Sequence, residues 1–388
     1  MKNILFTFFA LLLTAFSAQA QTVNINHSGI QTTYDANNIT DINVGEDASL
    51  TFNQKEGAAL NLATKNITSI ECSDETPDFC RKTVDGQPAQ VVFSCIEVNN
   101  TNPLQTMNYK LEKANKYLFD AVILFSSNIN FSKRDNEVYI HNNDNVQAIL
   151  NNYDHYIKPL KDRGIKVLLS ILGNHDGSGL ANMSDERCRD FAKAIADTLD
   201  KYDLDGVFFD DEYSEYNKDL GAQGFAGFDN RGSVQRASRL SYETKKAIGD
   251  RWVVLYKYSA FNSQVEVDGV KPGDYLDYVL TDYGQCGVWQ NISTSSFAGL
   301  RKEQYGPYSI NMGQYNNFTN VKKNRTDKYG ALMLYNCDQE SGNFGYVYYD
   351  VLQKVAKTIF DDNIVVDDTH HYGKDWTPVE GLSEPNRP

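Results

Sequence analysis

Two carboxylates, Asp210 and Glu212, close the stretch DGVFFDDE over residues 205–212. Side chains alternate between the two faces of an extended strand. Gly206, Phe208, Asp210 and Glu212 therefore share one face, and Asp205, Val207, Phe209 and Asp211 share the other. On that spacing Asp210 and Glu212 lie about 6.6 Å apart along the strand. Such a pair could carry out acid–base catalysis. A solvated strand end or a cation site would use the same residue types. The apolar run before the acids favours a catalytic task, because burying a charge without one is costly. No Cys-x-x-Cys or His-Glu-x-x-His spacing occurs, so a zinc site has little support.

The elements that must position these acids read as a repeating strand and helix pattern. From about residue 89, apolar runs recur as VVFSCIEV, DAVILFSSN, KVLLSILGN, DGVFFDDE, WVVLYKYS, YLDYVLTDY, YSINMGQY and YGALMLYN. Helix-like stretches such as NVQAILNNYDHYIKPLKDRG and DERCRDFAKAIADTLDKYD separate several of them. Near-continuous apolar strands imply a parallel sheet covered on both faces. Eight of them with intervening helices predict a (β/α)8 barrel, an α/β fold, spanning residues 89–388 with its C-terminal tail. An open doubly wound sheet is the alternative, but no glycine-rich phosphate fingerprint follows the first strand. Polar residues gather at the strand ends: Ser126 and Asn128, Asn174 and His175, Asp210 and Glu212, Asp282 and Tyr283, Gln314, and Asn336. In a barrel these ends share one face, where active sites are built.

Residues 21–88 read differently, as short alternating strands broken by Gly, Asn and Asp. They form a small all-β module, for which a packing or spacer role is expected ahead of a binding one. Residues 1–20 (MKNILFTFFALLLTAFSAQA) have the layout of a secretory signal peptide, with cleavage expected after Ala20. The apolar run is too short to span a bilayer, and no Cys marks a lipid anchor. An exported monomer, periplasmic, cell-surface or secreted, is expected.

The formal charge of −14 leaves no basic stripe for a nucleic-acid backbone, and no later segment is apolar enough to span a membrane. The 24 Tyr suit both strand packing and contact with sugar rings. Of the six Cys, Cys72 and Cys80 lie close together in a loop-like stretch and form the candidate bridge. Cys95 and Cys337 fall in apolar runs and should pack as small hydrophobes.

The stretch LDGVFFDDEYSEY resembles the active-site strand of family 18 glycoside hydrolases, most closely their endoglycosidase F and H branch. The segments FSCIEVNNTNPL, GIKVLLSILGNHDGSGLANMS, VDGVKPGDYLDYVLTDYG and YGKDW resemble that branch as well. The similarity runs from about residue 89 to Trp376. It implies a barrel that cuts the β-1,4 bond in the chitobiose core of N-linked glycans, of high-mannose or hybrid type. Its partners would be N-glycosylated glycoproteins or released N-glycans. Carried over by position, Glu212 is the general acid/base, Asp210 supports the substrate's acetamide, and Tyr283 contacts that acetamide. Asn174, Tyr256 and Gln314 are candidate sugar contacts, with a packing role open for each. The broader family carries an acid where this chain has Phe208, a departure shared with the endoglycosidase F type.

Family 18 enzymes depart from the usual two-carboxylate scheme because the substrate supplies its own nucleophile. The resemblance thus implies a retaining, substrate-assisted hydrolysis that needs no metal or organic cofactor. Two other readings stay open: a chitinase-like family 18 hydrolase, and a catalytically silent barrel that binds glycans as a lectin. YGALMLYNCD lacks the Trp that chitinases place at the eighth strand end, and the lectins commonly lose the acid that Glu212 matches.

Overall fold

The protein is described here from a computed structural model covering residues 20–379, apart from 28–29, 46, 55–59, 75–82, 85–86, 113–115, 217–218, 282–288, 292–295, 314–315, 336, 339–347 and 368. Eight parallel strand positions make the predicted barrel. They are β1 (Val91–Glu97), β2 (Ala121–Ser132), β3 (Lys166–Leu172), β4 (Gly206–Phe209), β5 (Trp252–Lys257) and β6 (Tyr278–Thr281), followed by β7 and β8 (Ala331–Tyr335). Strand β7 is broken at Pro307 into Tyr305–Gly306, which pairs with β6, and Ser309–Asn311, which pairs with β8. Strand β8 returns to β1, with Ala331 opposite Val91 and Tyr335 opposite Cys95.

The alternation of the strands sorts their side chains into two cores. Phe93, Cys95, Ile123, Phe125, Leu168, Phe208, Trp252, Val254, Tyr256 and Met333 fill the barrel interior. Val92, Val122, Val167, Val207, Phe209, Val253 and Leu332 belong to the outer core, together with the helices. Phe208 therefore points inward and Phe209 outward, as the alternation requires. Gly206 has no side chain because its Cβ would lie 2.3 Å from the Trp252 carbonyl oxygen.

An aspartate locks the register at the start of three strands. The carboxylates of Asp120, Asp205 and Asp277 accept the amide N–H of Val92, Val167 and Val253 at 2.7, 2.8 and 2.7 Å. Each aspartate precedes an even-numbered strand and pins the odd-numbered strand before it. Asp277 also receives both its ion-pair and hydrogen-bond contacts from the buried Lys245 at 2.9–3.0 Å.

Two outer helices flank β4. Helix α1 (Asp185–Tyr202) starts at Ser184, whose side chain accepts from the Arg187 N–H. It buries Cys188, Phe191, Ile195 and Leu199, a 3–4 spacing that keeps one stripe against the sheet. Helix α2 (Val234–Ile248) is capped by Ser233 in the same way and ends at Gly249, where φ is +69°.

Ahead of the barrel, residues 22–73 form two small antiparallel sheets around Val23, Ile25, Leu50, Phe52 and Leu62. They are two copies of one unit, each a hairpin followed by a 3-10 turn and a third strand. The third strands, Ile39–Val44 and Ile67–Ser73, are exchanged, so that each pairs with the other copy's hairpin. The strand Ile30–Asp35 approaches the short helix Pro272–Tyr275 of the barrel. The expected bridge between Cys72 and Cys80 is not formed. Cys72 lies within the strand Ile67–Ser73 opposite Val23, packs against the module core and carries a free thiol, and Cys80 lies outside the described residues.

Candidate active site

The end of β4 carries the acids to the face where the other barrel strands also end. The Asp210 N–H continues the ladder to the Ile171 carbonyl at 3.0 Å, which keeps Asp210 in phase with Phe208. Asp210 is fully buried (0% exposed) and projects inward. Cys95 of β1, on the opposite side of the barrel, senses it: burial pushes the Cys95 thiol well up, and the Asp210 charge adds to that. Oδ1 of Asp210 accepts the Glu212 N–H at 3.0 Å, so one carboxylate fixes the backbone that presents the other. Glu212 itself is half-buried.

Two backbone contacts hold the Glu212 turn against the end of β3. Gly173 N–H donates to the Glu212 carbonyl at 2.9 Å, and His175 N–H donates to the Tyr213 carbonyl at 2.8 Å. A side chain at 173 is excluded, since its Cβ would sit 2.5 Å from both Glu212 O and Ser214 N. Asp211 points away from Asp210, as alternation predicts, but into a buried clamp rather than solvent. Its Oδ1 accepts from Tyr216 Oη at 2.6 Å and Ser214 Oγ at 3.3 Å, and its Oδ2 accepts from Ala260 N at 3.3 Å. Burial raises the Asp211 pKa to about 6, against the lowering by these bonds. Tyr216 Oη in turn accepts the Ala181 N–H at 3.1 Å. One aspartate thus ties together the loops after β3, β4 and β5.

No family model matches the chain. The endo-β-N-acetylglucosaminidase F1 of Elizabethkingia meningoseptica is 41% identical over 320 residues, covering 81% of this chain and 91% of that protein. The chain belongs to the endo-β-N-acetylglucosaminidases of glycoside hydrolase family 18. A second endo-β-N-acetylglucosaminidase, from a Flavobacterium species, is 32% identical over 253 residues, covering 64% of this chain and 75% of that one. Among solved structures, Bacteroides thetaiotamicron EndoBT-3987 in complex with a Man9GlcNAc2Asn substrate matches with a TM-score of 0.67 and 29% identity. That match covers 80% of this chain and 75% of the other. The protein is a glycoside hydrolase of this type.

Within this endoglycosidase the remaining sequence candidates fall at different depths. Tyr256 lies wholly inside the barrel, sandwiched between Phe208 at 6.1 Å and Tyr258 at 5.6 Å between ring centroids. It forms the floor beneath the acids, and the half-buried Tyr258 is the ring above it. Asn174 is buried, and its Nδ2 donates to Asn130 Oδ1 at 2.7 Å, which ties the end of β3 to the hairpin extending β2. Tyr283 and Gln314 lie outside the described residues, as do Asp282 and Asn336.

Two lining groups escaped the sequence reading. Glu97 ends β1 opposite Phe125 and shares the inner face with Phe93 and Cys95, and burial raises its pKa. Tyr335, at the end of β8, packs on the inner core and meets Phe125 edge-on at 6.4 Å. The period of two that placed Asp210 also placed both.

One wall of the site is the hairpin of β2 with Glu137–Asn142. Phe225 and Phe228 from the loop after β4 dock on its Phe131, at 5.8 and 5.2 Å. Arg187 spans the same seam. It donates to the Asn136 carbonyl, to Asn136 Oδ1 and to the Ala226 carbonyl, and its guanidinium lies 5.1 Å from the Phe131 ring centroid.

Proposed function

We propose that the protein cleaves the β-1,4 bond in the chitobiose core of N-linked glycans, preferring high-mannose or hybrid chains, and leaves one GlcNAc on the asparagine. The observation that carries this reading is the acid pair just beyond β4, with Asp210 fully buried and bonded to the backbone of a half-buried Glu212. The names of the two endo-β-N-acetylglucosaminidase relatives support the bond cut, and the Man9GlcNAc2Asn held by the Bacteroides relative supports the glycan class.

In this mechanism the acetamide oxygen of the GlcNAc in the −1 subsite attacks its own anomeric carbon. Asp210 accepts a hydrogen bond from the acetamide N–H, orients that oxygen and stabilises the positive charge of the oxazolinium ion. Tyr283 donates a hydrogen bond to the same acetamide. Glu212 gives its proton to the departing oxygen and then takes one from the incoming water, which returns the anomeric centre to its starting configuration. The apolar floor of Phe208 and Tyr256 excludes water from beneath the reacting sugar. Asn174 acts by holding the β2 hairpin, and Gln314 contacts sugar from the seventh strand.

The leader in residues 1–20 supports export of the mature chain, and among the described residues no helix is long and apolar enough to cross a membrane. Residues 21–88 act as a packing module, and the approach of the strand Ile30–Asp35 to the barrel supports that role. The direct test is mass spectrometry of a high-mannose and a complex-type glycoprotein after incubation with the protein. A single GlcNAc left on the high-mannose substrate is the expected result, and intact glycans on both would refute the reading.

A further inference from the structure

The residue after the proposed acid is unusual in three respects. Tyr213 is 52% exposed, one of few large apolar side chains so open among the described residues. Its φ is +60°, a region unfavourable for a residue with a bulky side chain. Its ring lies 4.8 Å from that of His175, which is also exposed and has a φ of +55°. Two non-glycine residues in the left-handed region, side by side and joined by the His175 N–H to Tyr213 carbonyl bond, are held there by their surroundings. The close approach at Gly173 supplies that constraint, because it locks the turn after β4 onto the end of β3. The structure thus holds an aromatic pair at the rim at a conformational cost of its own.

Burial orders the site from the inside outward. Asp210 is fully buried, Glu212 is half-buried, and Tyr213 is open. In the proposed reaction Asp210 serves the sugar that is attacked, and Glu212 serves the oxygen of the bond that breaks. The next group outward faces the leaving sugar. That sugar is attached to a folded glycoprotein, so it must be bound near solvent at a rim. An aromatic ring beside a second planar ring, with a polar tip in water, fits the apolar face of a GlcNAc.

We propose that Tyr213, braced by His175, is the platform for the GlcNAc that stays on the asparagine, and that it sets how well the site accepts a sugar rather than water at that position. This rests on the substrate-assisted reading above.

The test uses a glycan oxazoline, the neutral form of the intermediate, with the full-length protein and a GlcNAc acceptor. In transfer, the oxazoline nitrogen takes up a proton from solvent, and the C1–O bond breaks with its electron pair restoring the acetamide carbonyl. C1 bonds to O4 of the acceptor, and the O4 proton passes to the Glu212 carboxylate, which returns it to solvent. In hydrolysis, water takes the acceptor's place. The ratio of transfer to hydrolysis reads acceptor binding independently of the shared acid–base step. Tyr213→Gly deletes the ring while suiting the positive φ, so the backbone is not strained by the change. The ratio should fall about tenfold in this variant, equivalent to about 1.4 kcal/mol, and stay within about twofold of the parent in Tyr213→Phe, which keeps the stacking face. The same measurements on His175→Gly should give a smaller fall. An unchanged ratio in Tyr213→Gly, or equal losses in transfer and hydrolysis, would overturn the platform. A parent protein that does not turn over the oxazoline at all would instead refute the mechanism on which the proposal stands.

Discussion

Replacing Asp211 with Asn separates the two faces of the catalytic strand. Asp211 is buried, and its pKa lies at about 6 instead of near 3.8. The folded protein therefore holds this proton more tightly than the unfolded chain does. Its contribution is neutral below the unfolded value and becomes unfavourable as pH rises through the window from about 4 to 6. The full effect corresponds to roughly 3 kcal/mol. Asp211→Asn removes this titration. In exchange, the new amide presents donors to Ala260 N–H or to the Tyr216 hydroxyl, leaving one donor unmatched at about 1–3 kcal/mol. The two effects roughly offset each other at pH 7, whereas at pH 4 the variant should be the less stable protein. Urea denaturation at pH 4, 5, 6 and 7 measures this, and the variant should gain about 3 kcal/mol on the parent across the series. At pH 7 its turnover should stay within about tenfold of the parent, because the clamp keeps most of its bonds. Parallel stability curves would refute the buried, ionisable Asp211. A loss of turnover as severe as in Asp210→Asn would refute the division between the two faces.

Gly173→Ala should push the Glu212 turn outward and lower kcat about a hundredfold, as displacements near 1 Å do, which steady-state kinetics on a glycopeptide will read. Arg187→Ala loosens the seam between the β2 hairpin and the loop after β4. It should raise KM by about fivefold with kcat within about twofold, the loss of roughly one net hydrogen-bond contribution. Prolonged treatment with a chelator should leave hydrolysis unchanged, since every step proposed uses side chains of this chain or the substrate's own acetamide.

Much of the barrel was legible because the buried strands carry their own period. The inward side chain of Phe208 and the outward ones of Val207 and Phe209 follow from alternation, and the Asp210 N–H bond to the Ile171 carbonyl keeps Asp210 in that phase. The same rule applied to VVFSCIE places Glu97 in the site. Other features were written in the sequence as repeats. Asp-x-Val occurs at 120, 205 and 277, where each aspartate pins a neighbouring strand. Asn-Ile-Thr-x-Ile occurs at 38 and again at 66, marking the two copies of the N-terminal unit.

What was not legible depends on folding between distant segments. Asp211 was read as merely pointing away, because its partners Tyr216 and Ala260 are brought to it by two loops that no periodicity describes. The left-handed backbone of Tyr213 and His175 leaves no mark in residue type, for neither is a glycine. Tyr258 could have been found from its spacing to Tyr256, two residues apart on one face. That it lies half-exposed while Tyr256 is sealed below it depends on how the barrel closes.

The central claim is that Glu212 moves the proton while Asp210 holds the substrate's acetamide. Turnover of a high-mannose glycopeptide by Glu212→Gln, measured beside the binding of the same glycopeptide by calorimetry, tests it most directly. The account predicts a loss of at least about a thousandfold in kcat, with Kd within a few fold of the parent. Turnover close to the parent's would contradict it.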